Sequence, residues 1–377
     1  MMSASTRLGA SYTRFAIPSN YGLRLDHPAA PEVAGDMPVR VPSILALAFF
    51  LIALPAGAAG PRLPKPKRGF QMHTAPYVLP PASDEEWCEY RRLPNRHEME
   101  AQGFELRMPA GAHHFVLWAY NGSVTDDAQF PKGPVESVAC TGLGPRDTFI
   151  PANLFGMQTP SGRVRFPDGI AVRLKPHQQV WLNPHMKNFS TTDDLRARVV
   201  FNITPAKKGT VRHHAETFVV GNISGIDIPA RGTQTLVSEW TSPADLNVIQ
   251  LSSHQHHLGT YVSASLEQPD GSFVQVLENH DWEHPRELWT HEEAPWKDQY
   301  PPIIRLARGQ RIRFTCKWEN NNTKPVTFGA ETTDEMCFVT GYFYRDDETT
   351  PPISGAGCFT VKEGLMCPLA KTLSSTE

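Results

Sequence analysis

Residues 260–279, TYVSASLEQPDGSFVQVLEN, contain two runs in which apolar and polar side chains alternate, separated by Pro269-Asp270-Gly271. Alternation with a period of two is typical of strands that bury one face. Asp-Gly between two such runs predicts a β-hairpin closed by a type I′ turn. This stretch therefore predicts antiparallel β-structure.

Short runs of the same kind continue on both sides of the hairpin, each bounded by Gly, Pro, Asp or Asn. With 34 Pro and 27 Gly in 377 residues, the chain offers no uninterrupted helical periodicity after position 60. We predict an all-β protein with two tandem antiparallel β-sandwich domains, at 77–208 and 209–348. The polar segment 207–214, KKGTVRHH, contains their junction, and 349–377 are predicted to form a flexible tail.

The N-terminal 60 residues contain one long apolar run, Ile44 to Ala59, which follows Arg40 and ends in small residues. This pattern predicts a signal peptide, with Met37 as the true start of translation, and the alternative is an uncleaved membrane anchor. Residues 61–76 are rich in Pro, Lys and Arg and are predicted to be a linker. We therefore expect a secreted or periplasmic protein whose six cysteines favour disulfides.

The charge distribution argues against a polyanionic partner. The formal net charge is -3, and Lys and Arg are scattered along the chain. A nucleic-acid-binding protein would carry a basic patch or stripe. We expect a small-molecule partner, no nucleic acid and no obligatory protein partner.

Three groups of histidines lie at the ends of predicted strands, namely His113-His114, His185 and His254-x-His256. His254 and His256 project to the same face of a strand and can converge on one ion, because strand side chains alternate. His113 and His114 would face opposite sides of a regular strand. Both can bind one metal only with a distorted backbone or with different ring nitrogens. Taken alone, each group is also compatible with a structural role.

Met336 precedes the last apolar strand, a position where methionine is ordinarily core filler. If its sulfur joins His254 and His256, two imidazoles and a thioether make a site suited to copper, because sulfur favours Cu(I) and nitrogen tolerates Cu(II). A redox-active ion with an open position is what the activation of O2 requires. This set points to oxygenase chemistry.

Five segments occur in a specific order: WCEYRRLP, AHHFVLWAYN, VWLNPHMKN, SSHQHHLG and TCKWENNN…FGAETTDEMC. In this order the chain resembles the copper type II ascorbate-dependent monooxygenases, over about residues 77–347. The resemblance implies two jelly-roll-like sandwiches that each carry one copper ion and face each other across a solvent-filled interdomain cleft.

The resemblance also implies a role for each ligand. Three histidines would hold the copper that stores and delivers electrons: His113, His114 and His185. The catalytic copper, where O2 reacts with a substrate C–H bond, would be held by His254, His256 and Met336. Ascorbate would be the reductant for both ions.

The cysteines follow the same resemblance. Cys316 and Cys337 match a family disulfide that brackets the Met336 strand. Cys88 matches a family cysteine whose partner is missing from 186–200. The remaining even pairing is Cys88–Cys140 and Cys358–Cys367.

Three positions bear on the substrate. Peptide-amidating relatives use an Arg, an Asn and a Tyr to hold the terminal carboxylate of a peptide, and this chain has Ser252, Phe338 and Thr340 at those positions. Without the Arg, a carboxylate finds no clamp. We therefore predict against glycine-extended peptides and expect a small or medium-sized, largely apolar substrate.

Two other functions remain open at the level of the sequence. One is a secreted copper-binding or copper-carrying protein that has lost turnover, and the other is a β-sandwich binding module with incidental histidines. The histidines of the polar loop, His280, His284 and His291, and those of the junction, His213 and His214, are not expected to be ligands.

Overall fold

The structure is a computed structural model. It describes residues 61–120, 122–137, 140, 143, 152–222, 225–242, 244–285, 287–290, 304–329 and 331–347, and the backbone of three short strands within 359–372. Apart from one 3-10 turn at Asp127–Gln129, every regular element of the described residues is a β-strand. The predicted all-β class is confirmed. Among the described residues no helix is long and apolar enough to span a membrane.

The N-terminal sheets contain thirteen of the described strands. β1, β12, β4, β9 and β13 form one sheet in that order, with β8 added beside β4, and a second sheet has the order β6-β3-β10-β5-β7. Their apolar faces share a core that includes Phe104, Phe155 and Phe201. The strands are β1 (Phe70–His73), β2 (Tyr77–Leu79), β3 (Asp84–Arg92), β4 (Met99–Arg107), β5 (Ala112–Ala119), β6 (Pro134–Glu136), β7 (Ala152–Met157), β8 (Ser161–Arg165), β9 (Ile170–Leu174), β10 (Gln179–Lys187), β11 (Leu195–Ala197), β12 (Val200–Pro205) and β13 (His213–His214).

The C-terminal sheets repeat this two-layer arrangement. One sheet has the order β14-β24-β17-β20 with β21 beside β17, the other has the order β19-β18-β22-β16-β27, and they share a core around Phe314 and Trp318. The strands are β14 (Glu216–Gly221), β15 (Asp227–Ile228), β16 (Gly232–Thr241), β17 (Leu246–His254), β18 (Gly259–Glu267), β19 (Phe273–Asn279), β20 (Glu287–Trp289), β21 (Ile304–Leu306), β22 (Arg311–Asn320), β23 (Val326–Thr327), β24 (Phe338–Tyr344), β25 (Phe359–Val361), β26 (Gly364–Met366) and β27 (Lys371–Thr372).

The division into domains at 77–208 and 209–348 stays a prediction. Residues 56–377 form one compact unit. The core of the N-terminal sheets also includes Ile249, Tyr342 and Tyr344, which lie on strands of the C-terminal sheets. The two pairs of sheets are therefore joined by buried apolar contacts.

The hairpin predicted at 260–279 is present as β18 and β19, but the predicted turn type is wrong. The Gly271 amide donates to the Gln268 carbonyl at 2.9 Å, and the Gln268 amide donates to the Ser272 carbonyl at 2.7 Å. Gly271 has φ +81°, whereas Asp270 is not among the described residues with positive φ. A type I′ turn needs positive φ at both central residues, so this loop is a three-residue connection in which Pro269 begins an ordinary turn.

The predicted linker at 61–76 is also partly wrong, because it contains β1. This strand pairs with β12 along Phe70–His73, and Leu63 is buried. Gln71 donates to the Leu63 carbonyl at 2.8 Å, and Asn202 donates to the Pro64 carbonyl at 2.8 Å. These backbone contacts hold the segment at a sheet edge without the apolar alternation that would reveal it in the sequence.

Both pairs of sheets contain a disulfide. Cys316 is joined to Cys337, with 6.0 Å between their Cα atoms, and Cys88 is joined to Cys140. The suggested Cys358–Cys367 pair, the tail side chains and the predicted signal peptide lie outside the described residues.

Candidate metal centre

The adjacent histidines His113 and His114 lie in β5, where pairing with β10 is interrupted by a β-bulge. His114 pairs with His185 and Ala112 pairs with Met186, so the register skips His113. A bulge re-aims side chains that would otherwise alternate. The backbone distortion that two neighbouring ligands require is therefore present.

The bulge brings together His113, His114 and His185, which we call the first histidine group. The His113 and His185 rings are stacked with 4.9 Å between centroids, and the His114 and His185 rings are 5.0 Å apart. One potential ligand nitrogen from each residue lies within 4.8 Å of the other two. Three imidazoles that converge in this way can bind one metal ion.

Two carboxylates of β3 lie behind this group. His185 Nε2 donates to Asp84 Oδ1 at 2.7 Å, and His114 Nε2 lies 3.7 Å from Glu86 Oε1. A hydrogen-bonded carboxylate fixes which ring nitrogen keeps its lone pair. His185 Nδ1 and His113 Nε2 are buried and make no hydrogen bond within the described residues. Buried nitrogens of this kind could donate their lone pairs to a bound metal ion.

A second set of ligand-type side chains meets where β17 ends and β24 begins. His254, His256 and Met336 form what we call the Met336 group. The His254 and His256 rings are 5.2 Å apart and nearly perpendicular, and His254 Nε2 lies 3.3 Å from Met336 Sδ. The neighbouring His257 is exposed and donates through Nδ1 to the Thr332 carbonyl at 2.8 Å. The two imidazoles and the thioether therefore converge, and His257 points elsewhere.

Each imidazole of the Met336 group is oriented through Nδ1. His254 Nδ1 donates to Gln158 Oε1 at 2.5 Å, and His256 Nδ1 donates to the Asp334 carbonyl at 3.1 Å. A neutral imidazole carries one N–H, so Nε2 of each ring keeps a lone pair. Both Nε2 atoms are therefore available to a metal beside Met336.

The carboxyl of Glu335 is fully buried and links the His256 turn to the residues next to it in space. Its carboxyl accepts hydrogen bonds from the backbone amides of Leu258 at 2.7 Å and His256 at 3.1 Å, and from the Trp318 indole at 2.8 Å. The Met336 amide adds a fourth contact at 3.3 Å. Burial raises the pKa of Glu335 to about 7, whereas these N–H donors favour the carboxylate.

The first histidine group and the Met336 group contact each other. The His113 ring lies 5.4 Å from the His256 ring and 6.4 Å from the His254 ring, between centroids. The Trp282 ring lies 6.4 Å from the His113 ring. The solvent-filled cleft implied by the resemblance stays a prediction, and the structure places imidazoles of the two sets next to each other.

Burial favours the neutral form of four imidazoles of this centre. Burial first, and then neighbouring imidazoles, lower the pKa of His113 and of His254 well below the usual range. The same causes lower the pKa of His256 to about 4. Burial also lowers the pKa of His114, although Glu86 opposes the shift. Neutral imidazoles are the form that binds metals, so the centre is ready for an ion at neutral pH.

The comparisons with known proteins bear on the Met336 group most directly. Residues 233–364 match the family described as copper type II ascorbate-dependent monooxygenase, C-terminal domain. Residues 233–364 belong to this family. The matched segment contains His254, His256 and Met336, but it begins after the first histidine group in the sequence. No curated protein matches the chain.

Two solved structures have low similarity to the chain. One is titled "Crystal Structure of the STIV MCP"; it is 8% identical with a TM-score of 0.30, over 71% of this chain and 96% of that chain. The other is titled "Structure of infectious bursal disease virus Gt strain"; it is 10% identical with a TM-score of 0.12, over 84% of this chain and 89% of that chain. Neither similarity is close enough to bear on the fold or the site.

The residues expected to shape the substrate site of this monooxygenase domain share one face of its sheet. Ser252 pairs with Thr340, and His254 pairs with Phe338, in the antiparallel pairing of β17 and β24. Residues two apart on a strand project to the same side. Ser252 and Phe338 are both buried. The three predicted substrate positions therefore lie beside the ligand His254.

The Phe338 ring belongs to a small apolar cluster next to the Met336 group. Its other members are partly buried: Val219, Phe328 and Met336. The Phe338 ring stacks toward His254 with 6.2 Å between centroids. The thioether therefore has apolar neighbours in addition to the His254 imidazole.

The remaining histidines named in the sequence have other partners. His280 is exposed and bonds to Glu278, and His284 is exposed and bonds to Asp281. His213 stacks on Tyr344 with 4.2 Å between ring centroids. His214 approaches Arg173 and Glu100, and His291 lies outside the described residues.

The sequence did not reveal the residues that orient the ligands, namely Asp84, Glu86, Gln158 and Glu335. Asp84 is 101 residues from His185, and Gln158 is 96 residues from His254. Only Glu335 carried a signal, because it precedes Met336. The structure brings together all six residues predicted to be ligands.

Proposed function

We propose that this protein is a copper-dependent monooxygenase that hydroxylates a C–H bond of a small or medium-sized, largely apolar molecule, with O2 as the oxidant and ascorbate as the electron donor. The observation that carries the proposal is the convergence of five imidazoles and one thioether, from four separated chain segments, in one partly buried centre. A β-sandwich binding module has no reason to assemble this donor set.

The donor atoms fit two copper ions. The first histidine group offers three imidazole nitrogens, and two of the rings have carboxylates behind them. The Met336 group offers two nitrogens and a sulfur. Nitrogen suits both oxidation states of copper, and a thioether favours the reduced state. Bound copper would supply one-electron chemistry and an open coordination position for O2.

The overall reaction is balanced by ascorbate. One oxygen atom of O2 is inserted into the C–H bond to give the alcohol. The other oxygen atom leaves as water after it accepts two electrons and two protons from ascorbate, which becomes dehydroascorbate. Two sites of unequal donor character suit this division, since one can store an electron while the other meets O2.

The chain's own residues hold the substrate and exclude water. Phe338, with Val219 and Phe328, offers apolar contact beside Met336. Ser252 and Thr340 offer hydroxyls but no positive charge, so a carboxylate would be desolvated there without a partner. We therefore propose a neutral, apolar C–H substrate and not a glycine-extended peptide.

Export is part of the proposal. The Cys88–Cys140 and Cys316–Cys337 disulfides are compatible with an oxidising compartment. The copper family of the C-terminal domain is compatible with the same setting.

The test is product formation by the copper-loaded, desalted protein with ascorbate and O2, using neutral alkyl-substituted aromatic compounds as probes and a glycine-extended peptide for comparison. We expect hydroxylated product from a neutral probe, with one O2 consumed per product. Met336→Ile is the control for free copper, which oxidises ascorbate by itself. Bound copper without product from any probe would contradict the enzyme and favour the copper carrier.

A further inference from the structure

We propose that each of the two metal sites is completed by an orienting residue from the other pair of sheets. Gln158, from the N-terminal sheets, orients His254, and Thr332, from the C-terminal sheets, holds Asp84 behind His185. This inference rests on the proposed function only for the identity of the ligands. It assigns three positioning residues that touch no reacting atom.

Gln158 follows directly after β7, yet its amide reaches into the C-terminal sheets. His254 Nδ1 donates to Gln158 Oε1 at 2.5 Å, and Gln158 Nε2 donates to the Ser253 carbonyl at 3.4 Å. The second contact fixes which end of the amide faces the ring. The His254 proton is thereby held on Nδ1, and the lone pair on Nε2 faces Met336 Sδ at 3.3 Å.

Asp84 makes the reciprocal connection. Its Oδ1 accepts from His185 Nε2, and its Oδ2 accepts from the Thr332 hydroxyl. Lys187 Nζ lies 3.7 Å from Asp84 Oδ2 and donates to Thr332 Oγ1 at 3.3 Å. The carboxylate that selects the metal-facing nitrogen of His185 is thus held by a side chain from the C-terminal sheets.

Thr332 is well placed to link the two sites. Its side chain is buried, and its carbonyl accepts from His257 Nδ1 at 2.8 Å. It lies in the loop that leads to Met336, four residues before the thioether. A displacement of this loop would therefore disturb Asp84 and Met336 together.

Because each site uses an orienting residue from the other pair of sheets, both sites depend on the contact that places His113 next to His256. Orienting residues behind metal ligands are typically worth about 10–100-fold in metal affinity. If the two pairs of sheets separate, both sites lose such a residue. Each site therefore binds its ion best while the other half is in contact.

The first experiment uses the metal-free protein with ¹⁵N-labelled histidine. NMR reports which ring nitrogen of His254 carries the proton in wild type, Gln158→Leu and Gln158→Glu. We expect the Nδ1–H form in wild type, a mixture of both forms in Gln158→Leu, and recovery in Gln158→Glu, which keeps an acceptor. The matched control is Gln275→Leu, at an exposed glutamine of β19. An unchanged His254 tautomer in Gln158→Leu would overturn the role of Gln158.

The second experiment measures copper affinity at the first histidine group alone, in a His254→Ala background, by competition with a chelator. We expect Thr332→Val to weaken binding about 10-fold, within the range for orienting residues, and Thr332→Ser to restore it. Thr260→Val, at an exposed threonine, is the matched control. Equal affinities in Thr332→Val and the background protein would overturn the role of Thr332. A protein that binds copper as expected but hydroxylates nothing would contradict the proposed function and leave both results standing.

Discussion

The first histidine group and the Met336 group lie side by side but are built differently. The first sits within a continuous sheet, on β5 and β10, with two carboxylates of β3 behind its rings. The Met336 group combines His254 at the end of β17, His256 in the following turn and Met336 two residues before β24. The Gln158 amide and the Asp334 carbonyl lie behind its rings.

If each group binds one copper ion, as we propose, this difference in surroundings would give the two ions different roles. Carboxylates behind imidazoles increase ligand basicity and stabilise a higher positive charge, whereas a thioether favours Cu(I). We expect the copper at the Met336 group to have the more positive reduction potential. Electrons would then run from the first histidine group to the Met336 group.

The largest expected effect on activity comes from the loss of the thioether. Met336→Ile keeps an apolar side chain but removes the sulfur, so we expect hydroxylation to fall by at least about 100-fold, or about 2.7 kcal/mol in activation free energy. The copper at the first histidine group should remain. Product assay and elemental analysis check this, with Met99→Ile, in β4, as the control. Retained turnover would remove Met336 from the mechanism.

His185→Ala changes the first histidine group instead. It should spare copper at the Met336 group and interrupt electron supply. Each product needs two electrons, and one copper at the Met336 group stores only one. We therefore expect the prereduced variant to form little product in a single turnover, and its turnover under continuous ascorbate to fall by at least about 10-fold. Rapid-quench product analysis checks the single turnover, and a steady-state product assay checks the second result. His97→Ala, at an exposed histidine, is the control. Normal steady-state turnover in His185→Ala would show that the first group does not deliver electrons.

Glu335 differs from the carboxylates of the first histidine group, because its buried carboxyl accepts backbone and indole N–H groups and, among the hydrogen bonds of the described residues, does not contact a ligand imidazole ring. Glu335→Gln would place amide hydrogens against the N–H donors of Leu258, His256 and Trp318. We expect a loss of about 2 kcal/mol in the unfolding free energy of the metal-free protein, measured by urea titration. Glu331→Gln, exposed in the same loop, should change little. Equal stability of the two variants would contradict this role.

The last expected effect is confined to a window of pH. The pKa of His256 is lowered from 6.5 to about 4 in the folded protein, so its side chain binds more protons in the unfolded chain between these values. The contribution of this residue to the unfolding free energy should therefore rise with pH across that window, by up to about 3 kcal/mol, and be constant above it. Thermal unfolding of metal-free wild type and His256→Ala checks this. Identical pH slopes would contradict the assignment.

The fold class was predictable, and the six candidate ligands could be recognised, because their signals are local. Alternation at 260–279 specifies a hairpin whatever the distant context, and six ligand-type side chains can be recognised in order along the sequence. The turn type was missed because Pro269 fixes its own φ before Gly271 and so selects an ordinary turn.

The connections within the centre could not be predicted, because they depend on register and on distant partners. The bulge at His113 is visible only when β5 is aligned with β10. Gln158 and Thr332 carry no pattern at all, since a single amide or hydroxyl becomes an orienting group only when the two pairs of sheets meet. The contact between the first histidine group and the Met336 group was missed for the same reason.

Copper stoichiometry distinguishes a centre with two copper sites from a centre with one or none. The mature protein would be loaded, desalted and analysed for copper per chain, together with His114→Ala and His254→Ala. Two equivalents in wild type and about one in each variant are the predicted result. One equivalent or none in wild type, or the loss of both ions in either variant, would contradict a centre made of two distinct copper sites.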